Sequence, residues 1–348
     1  MFWVQKGVPL EATEIATRAG LQYLPDDRPG ITRRRRGRGF SYAGRRGGAV
    51  SATDRERIGD LVIPPAWESV WIAPEPDAHL QATGVDAAGR KQYLYHAAWR
   101  EHADEAKFER FAGFATVLER LRRQVDNDLR SRKGDLPPTQ LLSATVVRLI
   151  DRCLVRPGNR RRSRITDAVG ATEFGSNDVE VRNGVVVLDF VGKSGVGQHI
   201  EVLDRQLARV LSGLLDANDG LGDTLFASVE GDRVDERRLN EYIATVTNRD
   251  FTAKDFRTWG ATSTVVSELG PVVVGNGEDG AGFERAAIVV AAEALGNTPA
   301  VCRSSYVAPV VLDAFRSGRL HDHWLATRRG QWLSRAERAT ARLFDDGA

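Results

Sequence analysis

The pattern of apolar and polar positions changes once along the chain, near residue 100. From about residue 60 to that point, apolar residues fall in short runs separated by turn residues, which is typical of strands. Beyond it, apolar residues recur every three or four positions, as they do in amphipathic helices. We therefore predict an α+β fold, with a small mostly β domain at residues 1–100 and a mainly α domain at residues 101–348.

The helical domain contains one insert with the period of strands. Asn183-Gly184 is the strongest short hairpin signal that a sequence carries, and Gly192-Lys193-Ser194-Gly195 forms a second turn. Lys193 is expected at the tip of that turn. The insert predicts a three-stranded antiparallel sheet, with strands at residues 179–182, 185–190 and 198–203.

Glycine, proline and capping residues delimit the predicted helices. Pro157-Gly158 ends one helix, so Arg156 is expected just past a helix C-terminus. Thr252 is a good N-cap for the helix that carries Arg257, with Asp255 in its first turn. The helices are predicted at about residues 10–20, from 101 to before 134, and at 139–155, 205–215, 235–247, 253–268, 283–295, 299–306, 308–317 and beyond 330.

The charge of the chain is informative locally. A formal net charge of +2 over 348 residues says little about partners. Arginines crowd two stretches, which suits either a polyanion or a solvated basic face. Residues 32–48 have so few apolar side chains that we predict a mobile basic loop, ordering on DNA. The two clusters are Arg33 to Arg36, Arg38, Arg45 and Arg46, and Arg156, Arg160, Arg161, Arg162 and Arg164.

Composition also bears on cofactors and location. Cys153 and Cys302 lie in apolar helical contexts without metal-ligand spacing, which predicts two buried thiols in a reducing cytoplasm and no metal site. Gly192-Lys193-Ser194 resembles the end of a P-loop, but Val187 stands where that motif needs glycine. No cofactor is therefore expected. No apolar run of about 18 residues and no signal-peptide pattern occurs, so a soluble, cytoplasmic, nucleoid-associated protein is expected, without membrane contact.

Tyr306 is the candidate nucleophile. A phenol ionises near pH ~10, so it attacks phosphorus at neutral pH only where cations stabilise the developing charge. Arg156, Lys193 and Arg257 are candidates for those cations. Arginine offers a planar fork to two phosphate oxygens, whereas lysine can release a proton to a leaving oxygen. Fixed cations of this kind support phosphoryl transfer without a metal.

In chain order, Arg156, Lys193, Arg257, Asn297 and Tyr306 resemble the active site of the type IB DNA topoisomerases, in the small form found in poxviruses and bacteria. The resemblance extends from about residue 40 to about residue 320. It implies the fold that these enzymes share with the tyrosine recombinases. Many members hold histidine where this chain has Asn297, so an amide is expected to act there by hydrogen bonding alone.

A second match lies in the predicted β domain. In residues 91–96, alternation puts Gln92 and Leu94 on one face of a strand and Tyr93 and Tyr95 on the other. Gly89-Arg90-Lys91-Gln92-Tyr93-Leu94-Tyr95 resembles the Gly-Arg-x-Gln-Tyr-x-Tyr strand with which the family reads the major groove. The resemblance implies that the DNA-binding residues include Arg90, Gln92, Tyr93 and Tyr95.

The resemblance implies an ATP-independent enzyme. Tyr306 would form a 3′-phosphotyrosyl link while Arg156 and Arg257 clamp the phosphate and Lys193, helped by Arg156, protonates the leaving 5′-oxygen. The cut strand would rotate and religate, relaxing supercoils. The implied partner is double-stranded DNA, gripped by a monomer that closes as a clamp.

Two alternatives remain open from the sequence. Tyrosine recombinases share the chemistry, but their second arginine usually lies in His-x-x-Arg, and here Lys254 begins the corresponding Lys-Asp-Phe-Arg. A DNA-binding protein without catalysis would use Arg156, Lys193 and Arg257 for phosphate contacts only, and Tyr306 would merely pack.

Overall fold

The computed structural model of the chain describes residues 10–132, 134–158, 168–217, 224–227, 232–273 and 280–346. By its internal contacts the chain divides into two compact units, Met1–Glu109 and Arg110–Ala348. The arginines predicted to cluster at positions 160, 161, 162 and 164 lie outside the described residues. Each unit is built from its own elements.

The first unit is mostly β, as predicted. Its five strands form one sheet in the order β2-β1-β3-β4-β5, and every neighbouring pair is antiparallel. Its elements are α1 (Leu10–Arg18), β1 (Ile31–Arg36), β2 (Gly39–Ala43), α2 (Ala52–Asp60), β3 (Glu68–Ile72), β4 (Leu80–Val85), β5 (Lys91–Tyr95) and α3 (Ala97–Glu109).

One face of this sheet forms the core of the unit. Ile31, Ile72, Ala82 and Leu94 are successive register partners across four strands. The first three are buried, and Ile58 of α2 belongs to the same apolar cluster. Burying this stripe of aliphatic side chains is what holds α2 against the sheet.

The prediction of a mobile basic loop at residues 32–48 is wrong, because β1 and β2 form a hairpin there. The Arg33 guanidinium donates to the carbonyl oxygens of Ile63, at 3.1 Å, and Trp67, at 2.7 Å. It also lies 4.1 Å from the centroid of the Phe40 ring. The sequence prediction treated Arg33 only as a charged residue. Its long side chain also packs and forms hydrogen bonds, and these contacts stabilise the hairpin.

The second unit is mainly α with a three-stranded antiparallel sheet, as predicted, in the order β6-β7-β8. None of the described helices combines the length and apolar composition that a membrane span requires. Its elements are α4 (Phe114–Arg130), α5 (Pro138–Cys153), β6 (Val179–Arg182), β7 (Val185–Val191), β8 (Gly197–Leu203), α6 (Arg205–Ala217), α7 (Glu236–Thr247), α8 (Ala253–Leu269), α9 (Gly280–Leu295), α10 (Pro299–Ser305), α11 (Pro309–Arg316), α12 (Arg319–Leu325) and α13 (Arg335–Asp345).

Two further predictions for the helical region can be compared with the structure. The long helix expected before residue 134 is divided into α3 and α4, because Gly113 adopts a left-handed conformation, with φ of 78°, at the N-cap of α4. Cys153 and Cys302 are buried free thiols, as predicted. Burial raises the pKa of Cys153 to about 12 and that of Cys302 to about 11.

Helix α8 runs through the middle of the second unit. Trp259, at its centre, is 2% exposed and lies among the rings of Phe111, Phe114 and Phe344. Two of these ring pairs are stacked and the third is tilted, so they contribute both buried area and favourable ring geometry. Because this packing fixes Trp259, it also limits the movement of Arg257, two residues earlier on the same helix.

The C-terminal helix α13 is joined to α8 and α4 by a buried carboxylate. Glu337 accepts hydrogen bonds from Arg122, at 2.7 Å and 3.0 Å, and from Trp259 Nε1, at 3.2 Å. Arg122 also forms a bidentate pair with Asp151 of α5. Burial by itself would raise the pKa of Glu337, but the hydrogen bonds and charge of Arg122 lower it.

Replacing Glu337 with alanine should destabilise the protein by about 3 kcal/mol, because it leaves buried donors of Arg122 and Trp259 unpaired. A carboxyl group with a lowered folded-state pKa stabilises the fold above its ordinary value, 4.5, and loses that effect as the pH falls through the lowered value. The penalty should therefore shrink below pH 4.5. Urea unfolding at several pH values measures this loss in the free energy of unfolding. Asp345→Ala, at an exposed site on α13, is the control, and an equal loss in both variants would contradict the assignment.

Candidate active site

Tyr306 lies at the C-terminal end of α10, which begins with Thr298 as N-cap and Pro299. The Tyr306 main-chain N–H donates to the Cys302 carbonyl at 2.9 Å. Its carbonyl accepts from the Thr262 hydroxyl of α8, also at 2.9 Å. The backbone of the candidate nucleophile is thus fixed to α8, while the residue as a whole is half-buried.

Arg257 on α8 joins two helix ends, and the residue is only 3% exposed. Nη1 donates to the carbonyl of Leu154, just after α5, and Nη2 donates to the carbonyl of Leu295, the last residue of α9, at 2.8 Å. Cationic donors suit these carbonyls, since a helix C-terminus carries partial negative charge. Arg156 lies two residues after Leu154, and Asn297 lies two residues after Leu295.

Arg257 also lies beside the candidate nucleophile. Its guanidinium carbon is 5.6 Å from the centroid of the Tyr306 ring. Burial lowers the pKa of Arg257 to about 10 and the charge of Arg156 acts in the same direction, while interactions with Tyr306 oppose the shift. Arg257 remains charged at neutral pH despite this cost. A fixed cation next to a phenol favours the charge that develops when the oxygen attacks.

The segment that carries Arg156 is held by a close approach of two backbones. Leu154 ends α5 in a left-handed conformation, with φ of 52°. The Arg156 carbonyl then accepts from Ala171 N–H at 2.8 Å. A Cβ atom on Gly170 would lie 2.3 Å from the Cα of Gly158, so only glycine allows this approach.

Asn297 is bound to Arg156. The Nη2 atom of Arg156 donates to Asn297 Oδ1 at 2.5 Å, which assigns the amide orientation and leaves Nδ2 as the donor end. Within the described residues, the buried Nδ2 of Asn297 and the buried Nε of Arg257 have no hydrogen-bond partner. Buried donors are normally paired, so two unpaired ones are suited to a bound anion.

Lys193 is exposed, in the turn between β7 and β8 where the sequence predicted it. It lines the same narrow cleft as Arg156 and Arg257. The structure therefore brings all five candidates of this unit together, with Asn297 joined through Arg156 and Tyr306 through Arg257.

Sequence reasoning missed a polar residue of this cleft, Gln198 of β8. A Cβ atom on Gly296 would lie 2.6 Å from Gln198 Oε1, and one on Gly192 would lie 3.0 Å from its Cγ. Gln198 thus separates the turn of Lys193 from that of Asn297. Strand alternation was the available signal, because Gln198 shares the face of Ile200, another residue lining the cleft.

The candidate DNA-binding residues lie in the first unit, on β5 and just before it. The rings of Tyr93 and Tyr95 share one face and stack at 6.1 Å, as the alternation predicted. Arg90 Nε and Gln92 Nε2 each donate to Asp86 Oδ2 at 2.8 Å. The hydrogen bond from Arg90 is the main reason that the pKa of Asp86 is lowered to about 2.

Comparison with known proteins gives a consistent result. The model of the catalytic core of eukaryotic DNA topoisomerase I matches residues 96–310, and the model of the N-terminal domain of bacterial DNA topoisomerase IB matches residues 39–86. The chain is 30% identical to DNA topoisomerase 1B of Acanthamoeba polyphaga mimivirus over 228 residues, 63% of this chain and 66% of that protein, slightly under two thirds of its length.

Poxvirus relatives are more distant but are covered more fully. Over 277 residues the chain is 22% identical to DNA topoisomerase I of monkeypox virus and to DNA topoisomerase 1B of vaccinia virus, strain Copenhagen. That alignment covers 79% of this chain and 83% of each relative. With the mostly β first unit, the helical second unit and its three-stranded sheet, these matches show that the chain belongs to the type IB DNA topoisomerase family.

Proposed function

We propose that this protein relaxes supercoiled DNA by cutting and rejoining one strand through Tyr306. The observation that supports this most is the single cleft lined by Arg156, Lys193 and Arg257, with Asn297 bonded to Arg156 and the Tyr306 ring beside Arg257. Three cations and an unpaired amide donor suit a phosphodiester in transesterification, where charge develops on the attacking, leaving and nonbridging oxygens.

In the proposed reaction, the Tyr306 oxygen forms a bond to phosphorus as the bond from phosphorus to the 5′-oxygen breaks. The phenol gives its proton to solvent water, and Lys193, helped by Arg156, gives one to the leaving 5′-oxygen. Arg156, Arg257 and the Nδ2 group of Asn297 hold the nonbridging oxygens. Religation is the reverse. One ester replaces another, so the cycle consumes no ATP.

The proposed substrate is double-stranded DNA within the cytoplasm, at the nucleoid. We assign major-groove contacts to β5, whose Tyr93 is 46% exposed and whose Gln92 lies on the neighbouring position. The two units would close on the duplex as a monomeric clamp. Many phosphate contacts then make binding steeply dependent on salt.

The test of the function is plasmid relaxation. Supercoiled plasmid incubated with the protein in EDTA and without ATP should yield a ladder of relaxed topoisomers. A protein that only binds DNA gives no ladder, and a recombinase requires paired sites. Absence of relaxation over a wide range of salt concentrations would refute the proposal.

Replacing Lys193 with alanine should slow cleavage of an ordinary 5′-oxygen linkage far more than cleavage of a 5′-bridging phosphorothiolate. Sulfur leaves without a proton, so the second substrate does not need the general acid. Single-turnover cleavage of both duplexes measures the two rates. An equal reduction on both substrates would make Lys193 an ordinary phosphate contact.

A further inference from the structure

The β1–β2 hairpin of the first unit carries four exposed arginines: Arg34, Arg35, Arg36 and Arg38. Within the described part of the chain, none of their side chains makes a hydrogen bond or an ion pair. Nearby arginines behave differently, since Arg33 binds backbone carbonyls and Arg45 pairs with Glu75. The four side chains therefore have no structural partner among the described residues, although they are held on an ordered strand pair.

The strand register assigns these arginines to faces. Thr32 is the partner of Trp71, Trp71 of Thr83, and Thr83 of Tyr93. Directly opposed residues of antiparallel strands lie on the same face of a sheet, and alternate residues along one strand do as well. Arg34 and Arg36 follow Thr32 by two and four positions. They therefore lie on the face of Tyr93, whereas Arg35 lies on the face of the aliphatic core.

The middle of the Tyr93 face is covered by the segment before β1. Asp26 accepts a hydrogen bond from Thr83 at 2.8 Å, and the Trp71 ring N–H donates to the carbonyl of Arg28 at 2.8 Å. The exposed parts of this face are thus its two sides, with Tyr93 on β5 at one and Arg34 with Arg36 on β1 at the other.

The separation of these two sides suits a duplex. β1 and β5 are three strand spacings apart in the sheet order, which is about 14 Å at the usual spacing. The major groove is about 12 Å wide. A strand that inserts Gln92 and Tyr93 into that groove brings the Arg34 and Arg36 side of the sheet to the phosphates along its edge.

Positive side chains can also prevent unwanted pairing at an open strand edge. β1 pairs with β2 from Thr32 to Arg36 but with β3 only at Ile31 and Thr32, so Arg34 and Arg36 lie where β1 is not paired with β3. Edge protection would draw equally on Arg34, Arg35 and Arg36. A phosphate contact instead distinguishes the face of Arg34 and Arg36 from that of Arg35.

We propose that Arg34 and Arg36 bind the DNA backbone beside the groove entered by β5, as a phosphate contact separate from the cleft of Tyr306. This assignment rests on the proposed function for the identity of the ligand. It makes the hairpin a positioning element, since phosphate contacts fix register and orientation and carry no base sequence.

The test compares two faces of one hairpin in the full-length protein. Arg34→Gln and Arg35→Gln each remove one charge at adjacent positions, and the double variant Arg34→Gln/Arg36→Gln removes two. Binding of a fluorescent 24-base-pair duplex is measured by anisotropy across a sodium chloride series. The slope of log affinity against log salt should become shallower by about 0.9 for each phosphate that the variant no longer neutralises. Arg35→Gln should keep the slope of the unmodified protein.

The proposal fails if the double variant keeps the original slope, or if Arg35→Gln flattens it as much as Arg34→Gln does. The second result would show a general effect of charge. Circular dichroism confirms that each variant keeps the fold. Plasmid relaxation at low salt is measured in parallel, because an inactive unmodified protein would refute the proposed function while leaving the slope comparison intact.

Discussion

Replacing Tyr306 with phenylalanine is expected to abolish both relaxation and the covalent protein–DNA adduct while DNA binding persists. The substitution removes only the oxygen that is proposed to attack phosphorus. The ring can still pack beside Arg257, and the main-chain bonds of Tyr306 to Cys302 and Thr262 are untouched. Denaturing gel electrophoresis after mixing with a labelled nicked duplex measures the adduct.

Tyr242→Phe provides a matched control in the same unit. The Tyr242 hydroxyl donates to Asp128 at 2.7 Å, so this variant removes a half-buried hydrogen bond and some stability. It should still form the adduct. An adduct that survives in Tyr306→Phe, or that maps to another tyrosine, would overturn the assignment of the nucleophile.

Replacing Asn297 with aspartate should reduce the single-turnover cleavage rate by roughly 10²-fold or more, the usual effect of removing one transition-state donor. The two side chains have nearly the same shape, and aspartate would still accept from Arg156. It would, however, replace the Nδ2 donor with a negative charge beside the phosphate. Thermal stability should not fall, because the hydrogen bond with Arg156 becomes an ion pair.

Histidine at the same position is the matched control, since it keeps a donor and is the residue that many family members hold there. Asn297→His should retain most of the cleavage rate. A near-normal rate in Asn297→Asp would show that Nδ2 does not bind the phosphate. An equal reduction in both variants would mean that the position is only structural.

Local signals were sufficient for much of the fold. Asn183 and Gly184 adopt positive φ values of 51° and 83° at the predicted hairpin, and Thr252 with Asp255 forms a capping box at the start of α8. Such features depend on a few adjacent residues, so sequence reveals them. The five candidates that include Tyr306 were found by the order of short motifs. The structure shows that three of them line one cleft and that Asn297 and Tyr306 contact two of those three.

The features that sequence did not reveal depend on distant residues. Arg33 is stabilised by carbonyls about 30 residues away, which converts a predicted loop into a hairpin. Glu337 meets Arg122 across 215 positions, and no local pattern marks either residue as buried. Gln198 reaches the cleft only because Gly296 leaves room for it. Tertiary packing overrides composition in each case.

The hydrogen bonds of Arg257 also determine when the candidate active site can form during synthesis. Its guanidinium connects Leu154 with Leu295, and Arg156 meets Asn297 across 141 positions. Such long-range pairing must wait until the ribosome has released the later segment, since chains are made from the N-terminus and domains fold as units. An incomplete chain that ends before α9 therefore contains Arg156, Lys193 and Arg257 but neither Asn297 nor Tyr306. If Tyr306 is the nucleophile, as proposed, such abortive translation products cannot cleave DNA.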